Sequence, residues 1–171
     1  MEAWIGLGSN LGKPRARLRE ALSMLDQAIG IELKRCSGFY RSAPWGNEDQ
    51  DDFINAVTVL DTTLQPGTLL NVLLDMEQQM GRERSADRWG PRCIDLDLLT
   101  YEDLQLESPG LQLPHPRMQL RAFVLQPILE LDPDFVIPGV GPAKTCLFEL
   151  EPQHVEYIGS AEENFAGART E

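Results

Sequence analysis

A chain of 171 residues with 42% hydrophobic and 25% charged residues has the balance of one folded domain, able to bury a core without disulfides or a structural metal. Acidic residues outnumber basic ones 27 to 15, for a formal net charge of -12, which argues against nucleic acid or an anionic membrane surface as partners. The three cysteines, Cys36, Cys93 and Cys146, form no C-x-x-C pair and have only His115 and His154 beside them, so a disulfide framework or zinc finger is disfavoured and a reducing cytoplasm is expected. The first residues lack the cationic and apolar stretch of a signal peptide, and no apolar run approaches the ~20 residues that span a bilayer.

Residues 3–7 read as a short buried strand ending in a glycine-rich turn, Gly8-Ser9-Asn10-Leu11-Gly12. Pro14 is placed to open a helix, on which Leu18, Ala21, Leu22, Leu25 and Ile29 recur at helical spacing before Gly30 stops it. Lys13, Arg15, Arg17 and Arg19 form the solvated face of that helix. A strand over residues 31–40, a loop over 42–52 and a strand over 53–60 follow. Pro66 opens a second helix in which Leu69, Leu73, Met76 and Met80 share a face, and Gly81 closes it. Residues 82–92 are polar and cationic and contain Gly90-Pro91, the composition of a loop, and residues 94–101 form the next strand. Residues 107–116 read as irregular, and residues 122–131 carry an apolar pattern interrupted by Pro127. A single domain over residues 1–158 with a frayed tail over 159–171 is expected. The order β-α-β-β-α-β is that of an α+β, ferredoxin-like sandwich, a mainly antiparallel sheet with helices packed on it.

Asp95-Leu96-Asp97 is the sharpest chemical feature. Alternate residues of a strand share a face, so the two carboxylates point the same way, roughly 6–7 Å apart along the strand, while Ile94, Leu96 and Leu98 point into the core. Like charges held together on a rigid strand repel unless a cation sits between them, and Mg²⁺ takes one or two carboxylates plus phosphate oxygens. The bland alternative is an amphipathic strand with a solvated acidic face. The loop just before it places Arg82, Arg84, Arg88 and Arg92 against only Glu83 and Asp87. Guanidinium groups are permanent, bidentate donors suited to phosphate, so this adjacency fits a nucleoside triphosphate with its magnesium. Trp89 could cover a planar ligand, and His115, between Pro114 and Pro116, and Arg121 are further phosphate candidates.

Phe53 and Asn55 share a strand face, an aromatic plate beside a donor–acceptor amide, and Phe123 could supply an opposing plate; core packing is the competing reading for both rings. The run Gly6-Leu7-Gly8-Ser9-Asn10-Leu11-Gly12 has the look of a dinucleotide turn, but the chain lacks the βα alternation of a Rossmann domain. Two alternatives stay open on the residues alone: a metal-dependent nucleotide phosphohydrolase using the same aspartates and arginines, and a non-catalytic NADP- or pterin-binding module built on the glycine turn.

Gly8-Ser9-Asn10-Leu11-Gly12, Phe39-Tyr40-Arg41-Ser42 with Pro44, Arg88-Trp89-Gly90-Pro91-Arg92-Cys93-Ile94-Asp95-Leu96-Asp97, Pro114-His115-Pro116 and Arg121-Ala122-Phe123-Val124-Leu125 stand in one order. Over residues 1–158 this pattern closely resembles the 6-hydroxymethyl-7,8-dihydropterin pyrophosphokinase family of folate biosynthesis. The resemblance implies a ferredoxin-like fold and a reaction that transfers the β,γ-diphosphate of ATP to the pterin hydroxymethyl group and releases AMP. It implies that Asp95 and Asp97 hold two Mg²⁺ ions and that Arg82 and Arg92 steady the transferring phosphates, on loops that close over the site. Glu77, Arg84, Arg88, Trp89, Arg92, Leu98, His115 and Arg121 would line the ATP side. Ser42, Ala43, Pro44, Trp45, Phe53, Asn55 and Phe123 would line the pterin pocket, with Phe53 and Phe123 sandwiching the ring. Trp45 stands where the family pattern has an aliphatic residue, Phe53 where it often has tyrosine, and Gly110 and Gln112 where it has a basic residue and a threonine. ATP and the pterin would be the partners, and a cytoplasmic monomer is expected.

Overall fold

Residues 1–44, 49–81 and 93–161 are described in the computed structural model of the chain. In chain order the elements are β1 (Glu2–Ser9), α1 (Pro14–Gln27), β2 (Ile31–Cys36), β3 (Tyr40–Ser42), β4 (Phe53–Thr62), α2 (Pro66–Gln79), β5 (Asp95–Tyr101), β6 (Leu106–Ser108), β7 (Leu111–Leu113), α3 (Ala122–Leu131), β8 (Val136–Ile137), β9 (Gly141–Pro142), α4 (Ala143–Glu149) and β10 (Val155–Tyr157). The main sheet runs β10-β3-β4-β1-β5, with β2 also on β4, and every neighbouring pair is antiparallel. This is the ferredoxin-like arrangement that the element order predicts: β1 sits between β4 and β5, and α1 and α2 cross over one face.

Both crossover helices begin with proline, whose missing N–H is no loss in a first turn. Their buried stripes, Leu18, Ala21, Leu22 and Leu25 on α1 and Leu69, Leu73 and Met76 on α2, pack on Ala3, Ile5 and Leu7 of β1. Each such leucine, wholly out of water, contributes about 1.5–3 kcal/mol. Ile29 departs from the expected stripe. Ala28 is already extended and Gly30 has φ +82, so the helix ends at Gln27 and Ile29 stands 95% exposed on the turn. The basic face of α1 is also less simple than expected: Arg15 donates to the Ile158 carbonyl, and the Arg19 guanidinium lies 5.3 Å over the Phe39 ring.

The expected strand over residues 31–40 is two strands, β2 and β3, which pair with opposite halves of β4. The break has a local cause. The Ser37 hydroxyl takes the Val57 N–H that a ladder carbonyl would otherwise accept and itself donates to the Gly38 carbonyl. Residues 107–116 are more regular than expected, since β6 and β7 form a hairpin turned at Gly110, φ +83.

The second face of the sheet is covered at one end only. There Trp4, Val57, Val59 and Leu99 meet Val124, Leu125 and Ile128 of α3, and Phe135 rests against Trp4 with ring centroids 4.5 Å apart. Pro127 lies in the middle of α3 and cannot donate the helical bond to the Phe123 carbonyl. The other end of that face, over Gly6, Gly8, Asn55, Asp95 and Asp97, stays open as a cleft. Packing continues past residue 158, the expected edge of the domain: the Gly159 carbonyl accepts from Phe39 N, and Ala161 is buried in the core. Residues 162–171 lie outside the described residues. No described helix is long and apolar enough to cross a membrane.

Candidate active site

Alternation along β5 does what the spacing predicts. Ile94, Leu96 and Leu98 enter the core beneath α1 and α2, and Asp95 and Asp97 emerge half-buried on the opposite face. Register carries that face across the sheet: Asp95 is opposite Gly8 and Asp97 opposite Gly6 on β1, and Gly8 is opposite Asn55 on β4. Just beyond, Leu98 pairs with Ile5 and Thr100 with Trp4, so Leu99, which follows Asp95 and Asp97 onto the cleft face, is an extra residue, and its insertion returns Tyr101 to the core.

Two pockets meet on this face. The first is lined by Gly6, Leu7, Gly8, Ser42, Ala43, Gln50, Phe53, Asn55, Ala56, Leu99, Phe123 and Val124, the second by Leu70, Leu74, Glu77, Leu96, Leu98, Ser108, Gly110, Leu111, Gln112, His115, Pro116 and Arg117. Asp95, Asp97 and Arg121 line both.

In the first pocket the Asn55 amide is oriented by its neighbours. Its Nδ2 donates to Ser42 Oγ at 2.8 Å and to the Tyr40 carbonyl at 3.5 Å. Phe53 on β4 and Phe123 in the first turn of α3 reach the pocket from different elements, each half-buried. Ser42 and Ala43 complete the β3 side, whereas Pro44, the next residue, is not among the described residues that line it.

In the second pocket Glu77 of α2 is 3% exposed, and its Oε1 accepts the Leu96 N–H at 2.7 Å, tying the helix to the strand between the two aspartates. His115 follows the cis Leu113–Pro114 bond; its own N–H donates to the Leu99 carbonyl, and its Nδ1 accepts from Arg117 N at 3.3 Å. Nδ1 is thereby an acceptor, so the neutral ring carries its proton on Nε2, 4.0 Å from Asp97 Oδ2. Burial, helped by Arg121 and Arg117, pulls the His115 pKa down to about 4, so the ring is neutral at pH 7. Arg121, 14% exposed at the head of α3, reaches Asp97 Oδ2 at 3.4 Å and spreads over the Phe123 ring at 5.7 Å.

The donor set at Asp95 and Asp97 fits magnesium. Both groups are hard carboxylate oxygens at the mouth of a pocket, and no three His, Cys, Asp or Glu groups among the described residues converge as a closed cage. That leaves room for the phosphate oxygens with which Mg²⁺ completes its octahedron. Arg82, Arg84, Arg88, Trp89, Arg92 and Trp45 lie outside the described residues.

Sequence reasoning missed the floor. Gly8, read as the start of a turn, lies with Gly6 inside β1, and both underlie the first pocket. Their spacing of two within an otherwise apolar strand was the available signal. The residues after them are structural anchors: Ser9 Oγ donates to the Cys93 carbonyl at 2.6 Å, and Asn10 Nδ2 donates to Gln50 Oε1 and the Asp51 carbonyl, both at 3.0 Å. A strand held between two antiparallel neighbours is not the first strand of a dinucleotide-binding βαβ unit, so the glycine-turn reading fails.

An α+β sheet that carries paired carboxylates and an arginine between two pockets is the arrangement to be placed among known proteins. Comparison with known proteins makes the class specific. The family model described as 7,8-dihydro-6-hydroxymethylpterin-pyrophosphokinase (HPPK) matches residues 4–133. A 2-amino-4-hydroxy-6-hydroxymethyldihydropteridine pyrophosphokinase of Methylorubrum extorquens is 44% identical over 156 residues, 91% of this chain and 98% of that one. The protein of the same name from Synechocystis sp. is 46% identical over 147 residues, 86% of this chain and 74% of that one. Among solved structures, an HPPK-DHPS in complex with substrates superposes with a TM-score of 0.69 at 13% identity, a likeness of fold that covers 86% of this chain and 42% of that longer one. The chain belongs to the 7,8-dihydro-6-hydroxymethylpterin-pyrophosphokinase family, and it is an enzyme, a pyrophosphokinase.

Proposed function

We propose that the chain transfers the β,γ-diphosphate of ATP to the hydroxymethyl group of 6-hydroxymethyl-7,8-dihydropterin and releases AMP, a step of folate biosynthesis. The observation that carries this reading is that Asp95, Asp97 and Arg121 face both pockets at once, so the nucleotide and the heterocycle meet over the same carboxylates. The pterin occupies the first pocket between Phe53 and Phe123, with the Asn55 carboxamide at its polar edge. ATP occupies the second, with Glu77, Leu98, His115 and Arg121 along its length.

In the reaction the substrate hydroxyl oxygen bonds to the β-phosphorus, the bond from that phosphorus to the α,β-bridging oxygen breaks, AMP departs and the hydroxyl proton passes to solvent. Positioning and charge neutralisation dominate such a transfer. Asp95 and Asp97 would hold two Mg²⁺ ions, whose chemistry is to neutralise triphosphate charge and align it for in-line displacement. Arg121 supplies a fixed cation beside Asp97, and the neutral His115 offers its Nε2–H as a donor to phosphate. Arg82, Arg84, Arg88, Trp89 and Arg92 complete the ATP side on the strength of the family resemblance, with Arg82 and Arg92 on the transferring phosphates; Pro44 and Trp45 join the pterin side on the same ground. The enzyme acts as a cytoplasmic monomer on small molecules, without nucleic acid or membrane partners.

The test is incubation with ATP, Mg²⁺ and the pterin alcohol, followed by mass analysis. AMP and a pterin heavier by two phosphoryl groups are expected, both dependent on the pterin. Nucleotide hydrolysis that proceeds equally without pterin overturns the proposal in favour of a phosphohydrolase.

A further inference from the structure

Glu130, near the end of α3 and about two helical turns from Phe123, has no part in the chemistry above. Its carboxylate is nevertheless a point of convergence. Gly38 N–H donates to it at 3.0 and 3.1 Å, shared between Oε1 and Oε2, and the Tyr40 hydroxyl donates to Oε2 at 2.7 Å. Gly38 lies in the break between β2 and β3, and Tyr40 is the first residue after it. Burial and the adjacent carboxylate hold the Tyr40 phenol well above the usual tyrosine value, so it remains a donor throughout the physiological range. Tyr157 of β10 locks the arrangement: its ring meets the Tyr40 ring edge-on at 5.4 Å and covers Gly38 so closely that a side chain there would collide with it.

Tyr40 also reaches the first pocket through its backbone. Its carbonyl accepts from Asn55 Nδ2, the amide that also bonds Ser42. One residue therefore links a carboxylate of α3, the helix that brings in Phe123, to the β3–β4 wall that presents Ser42, Phe53 and Asn55. Hydrogen bonds to a charged acceptor are roughly twice as strong as neutral ones, which suits a joint between two walls.

We infer that Glu130 is a positioning residue: by gripping Gly38 and Tyr40 it fixes the separation of the two walls and so sets affinity for the flat heterocycle without touching it. This rests on the pterin reading of the first pocket. Tyr40→Phe removes one hydroxyl and leaves the ring packed; Glu130→Gln keeps the shape and removes the charge. Each is expected to raise the KM for 6-hydroxymethyl-7,8-dihydropterin by about three- to tenfold, as loss of one charged hydrogen bond allows, with the KM for ATP within about twofold of the parent. In ligand-free Tyr40→Phe the side-chain amide NMR signals of Asn55, identified by their loss in Asn55→Asp, should shift. A lower melting temperature with an unchanged pterin KM, or a parallel rise in both KM values, overturns the inference. Should the parent protein turn over no pterin, the reading of the pocket has failed; the Asn55 signals then decide alone, a shift supporting the clamp and no shift refuting it.

Discussion

Adding a methyl group to Gly8 probes the floor of the first pocket with the smallest available change. A Cβ there would stand 3.3 Å from Asn55 Oδ1 and 3.9 Å from Phe53 Cδ1. The first contact is tight enough that the carboxamide must give by a few tenths of an ångström, and it has little freedom to do so because its Nδ2 is held by Ser42 Oγ at 2.8 Å. The cost falls on the alignment of one hydrogen bond between Asn55 and the ligand, about 0.5–1.5 kcal/mol, or about two- to tenfold in affinity. Gly6 is the matched control. Its Cβ would rest at 3.5 Å from the Leu99 methyl carbons, an ordinary contact, and neither glycine has a positive φ. Gly6→Ala should therefore leave pterin affinity within about twofold and raise unfolding free energy by about 0.4–1 kcal/mol through the unfolded chain. Pterin Kd by fluorescence titration and urea unfolding of both variants provide the comparison. Equal loss of affinity in the two, or none in Gly8→Ala, would show that the Asn55 carboxamide does not read the ligand from this floor.

Asp97→Ala should lower kcat by at least about a hundredfold while leaving the circular dichroism spectrum unchanged, since the side chain is 34% exposed and its removal opens no core cavity; near-normal turnover at saturating Mg²⁺ would refute its metal role. His115 provides a pH signature in the ligand-free protein. Its pKa falls from an ordinary 6.5 to about 4 on folding, so the folded state binds fewer protons in that window: stability is full above about pH 6.5, declines as pH falls toward 4 and levels off below. The decline attributable to this residue is about 3 kcal/mol at most. His115→Asn keeps an acceptor for Arg117 N and should lack that component, so a wild-type and variant pair with parallel stability curves between pH 7 and 4 would contradict the burial argument.

The parts of this structure that were readable from the sequence are those where one residue pattern answers to one geometry. Asp95 and Asp97 alternate with Ile94, Leu96 and Leu98, so the acidic face follows from the strand period alone. Pro14 and Pro66 mark helix starts because only a first turn spares an N–H. Other features depend on partners distant in the chain. Ser37 breaks an edge strand because its hydroxyl finds Val57, twenty residues away, and Ile29 fits the helical period but falls beyond the point where the backbone turns. Gly6 and Gly8 have no side chain to announce a pocket floor; only pairing with Val57, Asn55, Asp97 and Asp95 reveals it. Glu130 looks like any helix-end acid until Gly38 and Tyr40 arrive from a segment some ninety residues earlier in the chain.

The central claim, that twin carboxylates on β5 seat divalent ions where the two pockets join, is tested most directly by counting ions. Mn²⁺ in place of Mg²⁺, titrated by electron paramagnetic resonance in the presence of a non-hydrolysable ATP analogue and pterin, should show two ions per chain beyond those the free analogue binds, and fewer in Asp97→Ala. An undiminished count of two in that variant would mean that the metals sit elsewhere.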